Sequence, residues 1–118
     1  MEQPHIKVSH KGGVTVVALL DEDILDEITI RDITDALFSV AEENAPVKMV
    51  LNFERVVHLS SNSLGALIRL NKAVEESDGV LKLCCIKSNL QEMFVITKVN
   101  KIFEIYETEE AALLAFEQ

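Results

Sequence analysis

The sequence predicts a mixed α/β domain: a central mixed sheet of about five strands with about four helices, mainly on one face. Three observations predict it. Short β-branched apolar runs alternate along the chain with longer segments of helical periodicity. The first two strand-like runs are separated only by the turn Lys11-Gly12-Gly13, so they pair as a hairpin. Each later run is separated from the next by a helix, which implies parallel neighbours joined by right-handed crossovers. At 118 residues the chain has room for one domain, taken as residues 1–118. A composition of 48% hydrophobic and 26% charged residues supplies one core without disulfide staples.

The elements follow in order. His5 to Ser9 alternates weakly, and Val14 to Leu20 is β-branched and apolar, as a strand should be. Asp21-Glu22-Asp23 breaks the run. Ile30, Ile33, Leu37 and Val40 then recur at the spacing of one helix face. That helix runs from about Asp26 to Glu43 and is ended by Asn44 and Pro46. Val47 to Phe53 is almost continuously apolar, which suits a central strand covered on both faces. Glu54 to Leu59 is a connection. A second helix spans Ser63 to Glu75, with Leu64, Leu67, Ile68 and Val74 on one face, and Asp78-Gly79 closes it. Val80 to Ile86 reads as the fourth strand. Asn89 to Ile96 is a third helix with Leu90, Phe94 and Val95 inward, and Ile102 to Tyr106 a short fifth strand. Thr108, followed by Glu109 and Glu110, caps a last helix carrying Leu113, Leu114 and Phe116.

Charge narrows the functional classes. Eleven basic against twenty acidic residues give a net charge of −9. A field of that sign repels nucleic acid and anionic membranes and favours a protein partner with a basic patch. The start, Met1 to His5, lacks the basic-then-apolar pattern of an export signal, and no apolar stretch reaches the roughly 20 residues that cross a bilayer. Cys84 and Cys85 are adjacent and point to opposite faces of a strand, so a bridge between them would be strained. Two reduced thiols place the protein in the cytoplasm. The edge strand at residues 5–9 allows a monomer or a weak homodimer.

Enzymatic chemistry finds little footing. His5, His10 and His58 have no metal-ligand spacing, and His58 lies too close in sequence to Ser60 to argue for a triad. Gly12-Gly13 joins strands and Gly65 stands alone, so there is no phosphate-cradling loop. No catalytic residue, metal or cofactor is expected.

The distinctive segment is Leu59-Ser60-Ser61-Asn62-Ser63-Leu64-Gly65. Small polar residues before a helix accept hydrogen bonds from the free N–H groups of its first turn. One cap needs one residue, and here there are several. The extra hydroxyls stand at a helix N-terminus, where an anion is favoured by about 0.3–1 kcal/mol. A phosphate there adds about −1.5 to −2 charges, enough to spoil a complementary surface while leaving the helix folded.

Over nearly its whole length the chain resembles the bacterial anti-sigma-factor antagonists, that is, the STAS domain family. The likeness rests on Val50-Leu51-Asn52-Phe53 and on Val57-His58-Leu59-Ser60-Ser61-Asn62-Ser63-Leu64-Gly65-Ala66-Leu67-Ile68, which is similar to the family's Asp-Ser-Ser/Thr-Gly-Leu-Gly signature. Gly79 to Ile86, Phe94 to Phe103 and Glu109 to Leu113 resemble the family's later elements. The resemblance implies partner switching. The unphosphorylated antagonist binds an anti-sigma factor that is also a serine kinase, phosphorylation of the signature serine abolishes binding, and a phosphatase restores it. By position that serine is Ser61. Asp26 matches an acidic residue near it, and Asp26, Ser60, Ser61, Asn62, Ser63, Leu64 and Gly65 are the expected partner-binding residues. Gly65, one turn into the helix, allows close approach to the sheet or to a partner.

The departures are specific. Ser60 stands for the signature Asp, Asn62 for the second Ser/Thr and Ser63 for the first Gly. Ser60 and Ser63 are therefore alternative acceptors. The altered signature also leaves room for a second reading: a STAS protein-interaction or ligand-sensing scaffold with no phosphorylation.

Overall fold

Side-chain alternation decides which strand residues meet which helices. The computed structural model describes residues 4–117. The reading of Met1 to Gln3 as lacking an export signal lies outside them. The strands are β1 (Ile6–Lys11), β2 (Val14–Leu19), β3 (Asp23–Ile24), β4 (Lys48–Asn52), β5 (His58–Leu59), β6 (Val80–Cys84) and β7 (Glu104–Tyr106). The helices are α1 (Glu27–Glu43), α2 (Ser61–Glu76), α3 (Ser88–Ile96) and α4 (Glu109–Ala115), with a 3-10 turn at Val99–Lys101.

The five-stranded sheet has the order β1-β2-β4-β6-β7. The β1–β2 pair is antiparallel and the others parallel, as a hairpin followed by helical crossovers requires. Along β2, β4 and β6, Val17, Leu19, Met49, Leu51, Leu81 and Leu83 face one side, where Leu37 of α1, Leu67 of α2 and Phe94 of α3 cover them. Phe53 and Phe94 meet edge to face with centroids 6.4 Å apart, and both are fully buried. Truncating such a ring typically costs about 3–5 kcal/mol. Val14, Val16, Val50 and Cys84 face the other side, where Ala112 of α4 packs on them. Three helices on one face and one on the other agree with the expected layering.

The α4 face holds a buried lysine. Lys82 is 6% exposed, donates to Glu104 at 2.7 Å, and lies 4.9 Å from the Phe116 ring centre and 5.5 Å from that of Tyr106. Burial pulls its pKa down, but the Glu104 hydrogen bond and charge prevail and hold it above the ordinary lysine value. The ion pair and the two rings explain how a central strand carries a cation.

Four expectations are corrected. Val95 is 59% exposed, because Leu90 and Phe94 already take the inward face one turn apart. The fourth strand stops at Cys84, since Cys85 adopts a left-handed φ of 62°. The fifth begins at Glu104, after the 3-10 turn. The second helix begins at Ser61, two residues earlier than periodicity alone indicates. The connections before α1 and α2 also contain a feature that was not expected: the two-residue strands β3 and β5 pair in parallel, Ile24 against Leu59.

Candidate functional site

The β3–β5 pair brings the starts of α1 and α2 together, because each helix begins just past its short strand. Asp26 caps α1 by accepting from the Thr29 N–H at 2.9 Å. That backbone hydrogen bond holds the Asp26 carboxyl below the usual carboxylate range. Ser60 caps α2: its Oγ accepts from the Ser63 N–H at 3.2 Å, while Ser63 Oγ accepts from the Ser60 N–H at 3.3 Å. This reciprocal arrangement is a capping box with serine in the returning position.

The single hydroxyl proton of Ser63 goes to the Ile24 carbonyl, 2.6 Å away. Ser60 Oγ, 3.1 Å from Ser63 Oγ, then donates to it. Ser63 is 4% exposed, so its hydroxyl ties α2 to β3 from the inside. Leu64 is 3% exposed and belongs to the core. The expectation that these two side chains touch a partner is therefore corrected: they support the surface from beneath. Ser61 and Asn62 are exposed and take no part in the capping network. One stretch of small polar residues thus divides its labour, with Ser60 and Ser63 holding the helix and Ser61 and Asn62 facing outward.

Ser61 opens onto a groove of about 450 Å³ between α1 and α2. Glu27, Arg31, Thr34 and Asp35 line it from α1, and Asn62, Gly65 and Arg69 from α2. A Cβ added to Gly65 would meet Arg69 Nη1 at 3.7 Å, so this glycine faces the groove and not the sheet. The first turn of α2 carries no acidic side chain, unlike those of α1 and α4. Its partial positive charge is left unanswered. Outside the groove, His58 and Asp23 pair at 2.7 Å across β5 and β3, and both are exposed. An exposed pair of this kind adds little to stability.

Other places offer less chemistry. Beneath the groove, between the helices and the sheet, an apolar gap of about 20 Å³ is lined by Ile24, Leu37, Phe53 and Leu67. That is room for about one water, not for an organic ligand. Cys84 is buried and Cys85 half-buried, both as free thiols, and burial pushes the Cys84 thiol pKa up. Among the described residues no cluster of three or more His, Cys, Asp or Glu side chains could hold a metal. No helix of the described residues is long and apolar enough to cross a membrane.

The match to the family model described as the STAS domain spans residues 5–112 and so takes in both helices, the groove and the whole main sheet. The chain belongs to the STAS domain family. Among STAS relatives, BtrV of Bordetella bronchiseptica, whose name proposes an anti-sigma factor antagonist, is 32% identical over 69 residues. The alignment covers 58% of this chain, and this chain spans 60% of that relative's length. A Planctomyces limnophilus structure described as an anti-sigma-factor antagonist (STAS) domain protein superposes with a TM-score of 0.87 at 25% identity, covering 96% of this chain and 98% of that one. The phosphorylated form of the Bacillus cell fate determinant SpoIIAA gives a TM-score of 0.68 at 17% identity, with 94% and 98% covered. At that identity the likeness shows the fold.

Of the residues expected from the sequence of this STAS domain, Ser61, Asn62 and Gly65 line the groove, and Arg31 and Arg69, which line it with them, are not among those expected. Arg31 and Arg69 carried no local signal, since each reads as an ordinary solvated helix position. Only the packing of α1 beside α2 puts them in one groove. A weak clue existed: they are two of only three arginines in the chain.

Proposed function

We propose that this STAS domain is an anti-sigma-factor antagonist: it binds an anti-sigma factor that is also a serine kinase, in the cytoplasm, and regulates transcription by partner switching. Phosphorylation of Ser61 ejects the partner, and a phosphatase restores binding. The chain acts as a binding module and not as an enzyme. Family membership and the names of its relatives support the class of function.

One observation carries the reading of the site: Ser61 is exposed, while the capping work at its helix end falls to Ser60 and Ser63. A hydroxyl that holds no structure can be modified without unfolding the helix. Ser60 and Ser63 are poorer acceptors, because each would have to give up its capping bonds. Serine for the signature Asp keeps the cap, since the two residues cap about equally well. It removes a negative charge beside the acceptor. The docking surface then consists of Asp26, Ser61, Asn62, Gly65 and the outer faces of α1 and α2. Leu25 and Ile28, 49% and 63% exposed on either side of Asp26, add apolar area to it.

The test is the affinity of the purified anti-sigma factor for wild type and for Ser61→Asp, by calorimetry. Ser61→Asp is expected to weaken the complex about tenfold or more with an unchanged circular dichroism spectrum. Equal binding sinks the switch. The loss of the signature Asp favours the second reading, a STAS interaction scaffold without phosphorylation. Intact mass of the native protein, unphosphorylated under every growth condition, selects that reading.

A further inference from the structure

Arg31 and Arg69 have no role in the fold that their contacts reveal. Both are exposed, and among the described residues neither takes part in an ion pair. Glu27 and Asp35 stand four residues either side of Arg31, yet neither closes a salt bridge with it. In a chain of net charge −9, two of the three arginines nevertheless line one groove. Ser61 lines that groove with them. Ser61, Gly65 and Arg69 follow at intervals of four and so share one helix face. The Arg69 guanidinium folds back over Gly65, where a methyl group would touch it at 3.7 Å. One helical turn, about 6 Å along the axis, separates Gly65 from Ser61. Gly65 gives the guanidinium a clear path toward the serine.

We propose that Arg31 and Arg69 form a clamp for a phosphate carried by Ser61, one guanidinium from each helix. The inference rests on the reading of Ser61 as the modified residue and extends it to what the phosphate does. A phosphoryl group offers three acceptor oxygens, and guanidinium meets it with paired, charge-assisted hydrogen bonds. It carries more charge than Glu27 or Asp35, so it outcompetes them for the arginines. The first turn of α2 carries no acidic side chain to compete, and its helix end favours an anion beside Ser61. Phosphorylation would then do more than add charge: it would bridge α1 to α2 and close the groove to any partner side chain.

The experiment installs phosphoserine at position 61 during translation, so that no kinase is needed. The phosphate is titrated by ³¹P NMR in the otherwise wild-type chain and in Arg31→Gln/Arg69→Gln. The clamp predicts a second phosphate pKa about half a unit or more lower when both arginines are present, with each single variant in between. Circular dichroism checks that all four proteins fold. Equal pKa values overturn the clamp. Binding of the anti-sigma factor to the same proteins separates this inference from the switch. Equal pKa values with lost binding refute the clamp and leave the switch standing, whereas a lowered pKa with unchanged binding supports the clamp and removes the switch.

Discussion

Where α2 runs out toward β6, the chain meets the sheet with no slack. A Cβ on Gly79 would stand 2.5 Å from the Val47 carbonyl oxygen and 2.9 Å from Val74 Cγ1. Gly79 donates to the Val74 carbonyl at 2.8 Å, and Val80 to that of Val47 at 2.9 Å, so this backbone is fixed from both sides. At the start of α2 the situation reverses. A Cβ on Gly65 would meet one flexible guanidinium at 3.7 Å, and two of the first three helical side chains look outward. The two glycines lie at opposite ends of one segment and exist for different reasons. Gly79 lets backbone approach backbone, which is a demand of the fold. At Gly65 a methyl group would meet only a side chain that can move, so the fold makes no such demand there. What a methyl group would strike decides whether a glycine is required by the fold.

The largest effect expected is at the tight end. Gly79→Ala forces backbone to move, so it should cost about 2–3 kcal/mol of unfolding free energy in urea titrations. A loss within about 0.5 kcal/mol, the range of ordinary surface substitutions, would show that this end has slack after all and erase the contrast.

The same contrast separates what could be read from the sequence from what could not. The Ile30, Ile33, Leu37, Val40 stripe is buried as its spacing requires, and the apolar run around Val50 is a central strand with both faces covered. Those elements are long enough for periodicity to speak. The strands β3 and β5 are two residues each, too short for any period. They decide the site, because their pairing places the Ile24 carbonyl where Ser63 can reach it. Each small polar residue from Ser60 to Ser63 is a competent cap on local grounds. The choice of Ser60 is made by that distant carbonyl, so local sequence alone gives neither the start of the helix nor the burial of Ser63. The groove is likewise tertiary. Arg31 and Arg69 are 38 positions apart, and only helix packing makes them neighbours.

A middle-sized effect sharpens the picture of the open end. Ser60→Ala removes the cap and should cost about 1 kcal/mol in the same titration. Ser60→Asp restores the family residue, keeps a capping oxygen and should leave stability within about 0.5 kcal/mol of wild type. If Ser60→Ala costs nothing, Ser63 alone holds the helix start and Ser60 is as free as Ser61.

Gly65→Ala should have the smallest effect on folding and should carry the opposite sign. Glycine inside a helix is less favourable than alanine by roughly 0.5–1 kcal/mol, chiefly because the unfolded chain loses more freedom. At 3.7 Å the new methyl makes an ordinary contact with a side chain that can swing away. The variant should therefore unfold at higher urea than wild type by about that amount of free energy, with an unchanged slope. A methyl on the groove wall also stands between Arg69 and Ser61. If the groove is the working surface for the proposed anti-sigma factor, the more stable protein should bind that partner less well. A stabilised variant with wild-type affinity would assign Gly65 to neither fold nor contact. A destabilised one would mean that the start of α2 is as closely fitted as its end.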